Sequence, residues 1–371
     1  MRVFVQPLYA QLNTGVGDCP LGCAHRCQVV AQAPKLAALA GGNCPLLRHQ
    51  ADTWAALRDG NADVLFNTAP TGAGKTLAAC GLSLVQPGWR LVSCYPTNEL
   101  IEDQARSLEH WHQLFGLDFN RWTLHLYGER LSQQVEQQDS SRFLVLTGAI
   151  QNYPLLLTNP DLLHYMVHFR YRDPAYGADL LPVALADFPD LWVFDEFHLF
   201  GPHQEAAVLN GMALIRRLRG EQRPRRFLFT SATPKPAFQV SLQQTGWTIQ
   251  TIPCSCVSVP TDGYRLIAQG LELAFVQLER GQEALDWLLA NAGLLRAHLQ
   301  AEGAGRGLVL LNSVAQAAQA VSRLQAVLPG VLVREISGRM DRQQRAETQA
   351  LLRDAPQPVL VISTSAVDVG V

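Results

Sequence analysis

No apolar run in this sequence approaches the roughly 20 residues a helix needs to cross a bilayer. The opening stretch is broken at Pro7 and Gln11, too early for a secretory signal. The reading is therefore a cytoplasmic protein with no membrane partner. A dominant charge is lacking too: 30 Lys and Arg stand against 32 Asp and Glu, a net charge of −2. No global field draws the chain to nucleic acid, so any grip on phosphates must come from backbone amides and a few local cations. Charged residues make up only 17% and hydrophobic residues 48%, which excludes wholesale disorder and leaves core enough for about two domains. Eight cysteines without a signal peptide argue against a disulfide framework. Internal repeats are missing, and only the Ala/Gln-rich stretch around 314–328 approaches low complexity.

What is there is concentrated first at residues 64–76. An apolar run, Val64–Asn67, leads into Thr68-Ala69-Pro70-Thr71-Gly72-Ala73-Gly74 and then Lys75-Thr76, which open a helix. Backbone N–H groups of such a loop form an anion nest, and the helix N-terminus adds its positive end. Thr71, Gly72, Ala73 and Gly74 are thus read as a phosphate cradle for ATP. Lys75 reaches the β/γ-phosphates and Thr76 helps hold Mg²⁺. Ala69 stands where the general pattern begins with Gly.

Alternating apolar runs and amphipathic stretches over 46–258 predict a parallel sheet covered on both faces. Expected strands are Asp63–Thr68, Arg90–Cys94, Phe143–Thr147, Leu191–Phe194 and Arg226–Phe229, with helices at Leu77–Leu84 and Glu99–Phe115. The pattern restarts over 259–371, with a helix at Gln282–Leu299, strands at Gly307–Leu311 and Val359–Ile362, and a helix at Val314–Leu328 between them. Residues 1–45 read as an irregular segment carrying four cysteines.

Leu191-Trp192-Val193-Phe194 runs into Asp195-Glu196-Phe197-His198. An apolar strand ending in two carboxylates places them at the carboxyl edge of the sheet, where such folds bind ligands. Asp195 suits Mg²⁺, through a water, and Glu196 suits activation of the attacking water. Shorter pieces keep a fixed order around this pair. Leu47-Arg48-His49-Gln50 precedes the loop, and Gln50 is placed to read an adenine edge. Tyr95-Pro96-Thr97, Thr158-Asn159-Pro160-Asp161, Ser231-Ala232-Thr233, Asn312-Ser313 and Ser363–Gly370 follow in turn.

In these ordered motifs the chain resembles the superfamily 2 DExD/H-box helicases. That resemblance implies an α/β fold of tandem RecA-like P-loop domains, the second incomplete at its C-terminal end. Within the superfamily it is most similar to the CRISPR-associated helicases that lack a nuclease domain, those of subtype I-D systems. Asp195-Glu196-Phe197-His198, Thr158-Asn159-Pro160-Asp161, Ser231-Ala232-Thr233-Pro234 and the opening Gly17–Cys23 carry that narrower likeness. It implies an ATP-driven motor recruited to a crRNA-guided, Cascade-type interference complex, pulling single-stranded DNA for a nuclease-bearing large subunit. By family role Lys75, Asp195, Glu196 and His198 are catalytic, and Gln50 and Gly370 join the nucleotide site. Ser231 and Thr233 couple that site to the strand, and Thr97, Thr158, Asn159, Asn312 and Ser365 line the nucleic-acid cleft. Because the arginine-rich motif expected after Gly370 is not in the sequence, a fragment that binds ATP better than it turns it over is expected. A DNA-repair or restriction translocase of the same superfamily, or an ATP-binding scaffold, remain rival readings.

Cys19, Cys23, Cys27 and Cys44 suit tetrahedral Zn²⁺ in residue type, although their spacing is not that of a standard two-knuckle site. Reduced cysteines packed in an irregular lobe are the alternative. The arginines at 216, 217, 219, 223, 225 and 226 read as a solvated helix end, and Trp111, Trp122 and Trp192 as core.

Overall fold

Three phenylalanines set the frame of the site. In the computed structural model Phe66 stacks on Phe229 with ring centroids 5.1 Å apart, and Phe229 on Phe194 at 4.9 Å. Phe66 is paired in register with Phe229, and Phe194 with Phe229, so the rings form a ladder across three adjacent strands. A one-residue slip would turn every one of these rings to the opposite face of the sheet. The ladder therefore pins which residues come next at the carboxyl ends: Asn67, Asp195 and Thr230.

The structure describes residues 1–13, 17–23, 27–33, 35, 44–86, 88–171, 180–220, 226–301, 303–337, 340 and 342–364. Two compact units divide the chain, Phe4–Glu272 and Met1–Val3 with Leu273–Val371. The larger unit is built on a seven-stranded sheet in the order Thr123–His125, Leu155–Thr158, Leu91–Cys94, Leu191–Phe194, Phe227–Thr230, Val64–Asn67, Ile249–Ile252. Every pairing in it is parallel. Its central strands are buried along their whole length, as a sheet covered on both faces requires. Burial of one such aromatic or aliphatic side chain contributes on the order of 1.5–3 kcal/mol.

One expected strand is a helix. Phe143–Thr147 lies inside the helix Arg142–Asn152, whose N-cap Ser141 accepts from the Leu144 N–H at 3.3 Å. A short apolar run does not distinguish a buried strand from a buried helix face, and here the cap decides. The strand that fills that place in the sheet is Leu155–Thr158.

The N-terminal segment is less irregular than its composition suggests. Leu8–Gln11 lies between Cys256–Val257 and Tyr264–Ala268 in an antiparallel three-stranded sheet, a pairing made across some 250 residues of chain.

The smaller unit carries a parallel sheet ordered Arg306–Leu310, Val359–Ser363, Leu332–Ile336, with the helix Val314–Val327 packed on it. The helix expected over Gln282–Leu299 is broken at Asn291 into Ala284–Ala290 and Ala292–Gln300. No helix among the described residues is long and apolar enough to cross a membrane.

Candidate functional site

The strand order brings three loops to one edge of the sheet. Val64–Asn67 feeds the Gly-rich loop, Leu191–Phe194 feeds Asp195-Glu196, and Phe227–Thr230 lies between them and feeds Ser231-Ala232-Thr233. That edge is the carboxyl edge, the ligand-binding side of open parallel sheets.

The loop is shaped by its glycines. Gly72 has φ +85° and Gly74 has φ +73°, conformations that Gly adopts without steric cost. Gly74 caps the helix Lys75–Val85, so the helix starts where the loop ends. Ala69 is fully buried and packs with Ala10, Leu47 and Ala73, which gives its methyl group a place that a glycine would leave open. Thr71, Gly72 and Gly74 are exposed at the loop tip, whereas Ala73 and Lys75 are buried.

A polar network under the loop escaped the sequence reading. His49 is buried between Asn67 and Ala73. The Asn67 amide N–H₂ donates to His49 Nδ1 at 3.0 Å and to Thr53 Oγ1 at 2.8 Å. His49 Nε2 lies 2.9 Å from the Ala73 carbonyl, which can only accept, so the proton sits on Nε2 and the ring is neutral. Burial pushes the His49 pKa down to about 4. Asn67 also accepts from the Ala69 N–H at 3.0 Å, so strand end, helix and loop are fastened together. The one sequence cue was the polar pair His49-Gln50 at the start of an otherwise amphipathic helix.

Gln50 belongs to the same fastening. Its Oε1 accepts from the Leu47 N–H at 2.9 Å, and its Nε2 donates to the Gly74 carbonyl at 2.9 Å. Both ends of the Gln50 amide thus brace the loop.

Across the edge, Lys75 Nζ lies 3.0 Å from Glu196 Oε1, with the Lys75 side chain only 6% exposed. The other oxygen, Glu196 Oε2, is buried with no hydrogen-bond partner among the described residues, and His198 Nδ1 is 3.4 Å from it. Asp195 accepts from the Thr230 hydroxyl and from the Glu196 N–H. Burial, reinforced by the neighbouring Glu196 charge, pushes the Asp195 pKa up to about 6. Two adjacent carboxylates, one of them with an orphaned oxygen, form a donor set that fits a hard divalent cation.

Glu196 itself sits at φ 45°, uncommon for a side chain other than Gly, Asn or Asp. The next residue holds it there. Phe197 is 1% exposed, with ring centroids 4.4 Å from Phe238, 4.8 Å from Phe229 and 5.2 Å from Phe200. A small residue at this position could not make that anchor.

Ser231 Oγ lies 3.0 Å from His198 Nδ1 and accepts from the Thr233 N–H at 3.1 Å, which links the acidic pair to the third loop. Thr76 donates to Gln104 Oε1 at 2.6 Å, leaving its oxygen lone pairs as the donors it could offer a metal.

The residues expected in a nucleic-acid cleft divide. Thr97 caps the helix Asn98–Phe115 by accepting from the Leu100 N–H, and Asn159 caps Pro160–Val167 while donating to Asn98 at 2.9 Å. Thr158 is fully buried as the last residue of its strand, and its hydroxyl has no hydrogen-bond partner among the described residues. Thr233 and Asn312 are exposed. Ser365 and Gly370 lie outside the described residues, as do Arg223 and Arg225. Arg216 stacks over Trp247 at 4.6 Å, Arg226 lies over Trp89, and Arg219 donates to the Ala186 carbonyl, all structural uses of the basic cluster. Trp192 is core, while Trp111 and Trp122 are half-buried.

Comparison with known proteins agrees with this fold. By sequence, no curated protein matches the chain. Among solved structures, the DUF1998 helicase MrfA bound to DNA and AMPPNP superposes with a TM-score of 0.66 at 18% identity, covering 100% of this chain and 47% of that one. The DEAD-box helicase Mss116 bound to ssRNA and UDP-BeF gives 0.59 at 12%, covering 90% of this chain and 63% of that one. Dbp5 of S. cerevisiae bound to RNA and ADP BeF3 gives 0.52 at 12%, covering 89% and 72%. The chain therefore spans about half the length of MrfA. The family pattern of DEAD/DEAH box helicases matches residues 47–240, from the helix bearing Gln50 to beyond the Ser-Ala-Thr loop and over more than half of the sequence, and the chain belongs to that family.

Proposed function

We propose that this chain is the ATP-binding engine of a DNA helicase or translocase, and that the motor serves a type I CRISPR interference system in the cytoplasm. The observation that carries the motor reading is the 3.0 Å Lys75–Glu196 pair, which joins the phosphate loop to the acidic pair. Triphosphate in the loop offers Lys75 a stronger anionic partner than Glu196. Glu196, released from Lys75, then orients the attacking water and takes its proton, the base role in in-line phosphoryl transfer. Asp195 and Thr76 are the residues that would hold Mg²⁺, which when bound neutralises charge developing on the phosphates. Thr230 keeps the Asp195 carboxylate in place during this exchange. His198, 3.0 Å from Ser231, is positioned to pass a change at Glu196 to the loop bearing Thr233.

DNA as the track is supported by the MrfA complex, whose fold spans this whole chain. The CRISPR assignment is supported by the Asp-Glu-Phe-His, Thr-Asn-Pro-Asp and Ser-Ala-Thr-Pro motifs and by the Gly17–Cys23 opening. A crRNA-guided, Cascade-type complex with a nuclease-bearing large subunit is the partner this reading names. The whole-chain match to the DNA-bound helicase MrfA favours as a second reading a superfamily 2 DNA translocase outside that system.

The test is to measure ATP hydrolysis by the full-length protein with single-stranded DNA and with single-stranded RNA, and to ask whether it co-purifies with a target-bound interference complex. Stimulation by DNA together with co-purification supports the first reading. Stimulation without co-purification supports the second, and stimulation by neither strand overturns the motor reading.

A further inference from the structure

A second concentration of reactive side chains lies away from the nucleotide. Cys19, Cys23 and Cys27 are spaced four residues apart and buried, none of them in a disulfide, and Cys44 joins them from 17 residues on. A tight turn brings the first two together: the Gly22 N–H donates to the Cys19 carbonyl and the Gly17 N–H to the Cys23 carbonyl, each at 2.9 Å. The thiols neighbour one another along the row, Cys23 feeling that of Cys19, and Cys27 those of Cys23 and Cys44. Asn13 closes the circuit. Its Nδ2 lies 3.1 Å from Cys19 Sγ and 3.3 Å from Cys44 Sγ.

Asn13 is an independent sign of what these sulfurs are. It is 1% exposed, it spends both amide hydrogens on sulfur, and its Oδ1 has no partner among the described residues. A neutral thiol is a weak acceptor and gives little in exchange for that burial. A thiolate is a strong one, and N–H donors to ligand atoms are the usual outer support of a metal site. Among the described residues no three His, Cys, Asp or Glu side chains are already set around a common centre. Asn13 bridges Cys19 and Cys44, the two ends of the row, so gathering the four sulfurs around an ion calls on side-chain rotation.

We propose that Cys19, Cys23, Cys27 and Cys44 bind one Zn²⁺ as a structural tetrathiolate, with Asn13 donating to two of the sulfurs. On binding, each thiol loses its proton to solvent and the sulfur lone pairs fill the four metal positions. The site ties the N-terminal segment to the helix that braces the phosphate loop. The Asn13 N–H donates to the Leu46 carbonyl at 3.0 Å, and Arg48 donates to the Asp18 carbonyl at 3.1 Å.

The test is metal analysis of the chain produced without a histidine tag in zinc-supplemented medium and purified under reducing conditions. About one zinc per chain is expected, retained in Cys254→Ser/Cys256→Ser and lost in Cys27→Ser/Cys44→Ser. Zinc at less than about a tenth of the chain concentration would overturn the proposal. Should the Cys27/Cys44 variant not fold, cobalt(II) exchanged into the wild-type protein decides. Intense visible bands with sulfur-to-metal charge transfer are expected of a tetrahedral thiolate site, and the weak absorption of cobalt among oxygen ligands would overturn it.

Discussion

Lys75 and Glu196 hold each other 3.0 Å apart across two different loops, and both are largely withdrawn from solvent. On the proposed reading the pair puts the cation where triphosphate would bind and the base where water would attack, so that nucleotide and Glu196 would compete for one ammonium group. Lys75→Ala removes that cation and leaves a carboxylate facing the phosphates. A loss of at least tenfold in ATP–Mg²⁺ affinity is expected, about 1.4 kcal/mol or more. Titration with a fluorescent ATP analogue checks it, and unchanged affinity would place the phosphates elsewhere.

His49 gives the fold a pH signature. Its ring is held neutral with a pKa near 4, against about 6.5 when unfolded. Above about pH 6.5 the ring is neutral in both states and its contribution is complete. Between about 6.5 and 4 the unfolded chain takes up a proton that the folded chain refuses, so stability falls as pH falls, by up to about 3 kcal/mol. Asp195, with its pKa raised to about 6, acts in the opposite sense as pH drops below that value, because there the folded state is protonated first. The measurement is therefore a difference. Urea denaturation of wild type and His49→Gln is followed between pH 7 and pH 4, and the wild type's advantage should shrink toward pH 4. Parallel stability curves would contradict the neutral, buried ring.

At Gly72 a substitution tests the shape of the loop. A Cβ there would stand 2.5 Å from the Ile267 carbonyl oxygen, and the φ of +85° is itself unfavourable to a side chain. Gly72→Ala is expected to displace the loop and weaken ATP binding while the sheet stays folded. Binding loss with an unchanged unfolding midpoint is the expected pattern. Wild-type affinity in Gly72→Ala would mean that the loop moves freely from Ile267.

Motifs at the ends of central strands were legible because an apolar run followed by a polar group says both what is buried and where burial stops. Leu191–Phe194 matches its expected range to the residue, and Val64–Asn67 and Leu91–Cys94 fall within theirs. Phe143–Thr147 was misread because periodicity over five apolar residues is silent between strand and helix. Leu8–Gln11 was missed because a strand paired with Cys256–Val257 and Tyr264–Ala268 owes its form to distant partners. In the site, the titratable residues were visible and their supports were not. Asn67, Thr53, Gln104 and Thr230 are ordinary polar residues in sequence, and only the fold shows that their hydrogen bonds end on His49, Thr76 and Asp195.

The central claim is that Glu196 is the base of a nucleic-acid-stimulated ATPase. Its most direct test is Glu196→Gln in the full-length protein, which keeps the size and polarity of the side chain but removes its ability to take a proton. ATP–Mg²⁺ binding should remain within a few-fold of wild type, while hydrolysis stimulated by single-stranded DNA falls by about 10²-fold or more. Hydrolysis at the wild-type rate in Glu196→Gln would contradict the account.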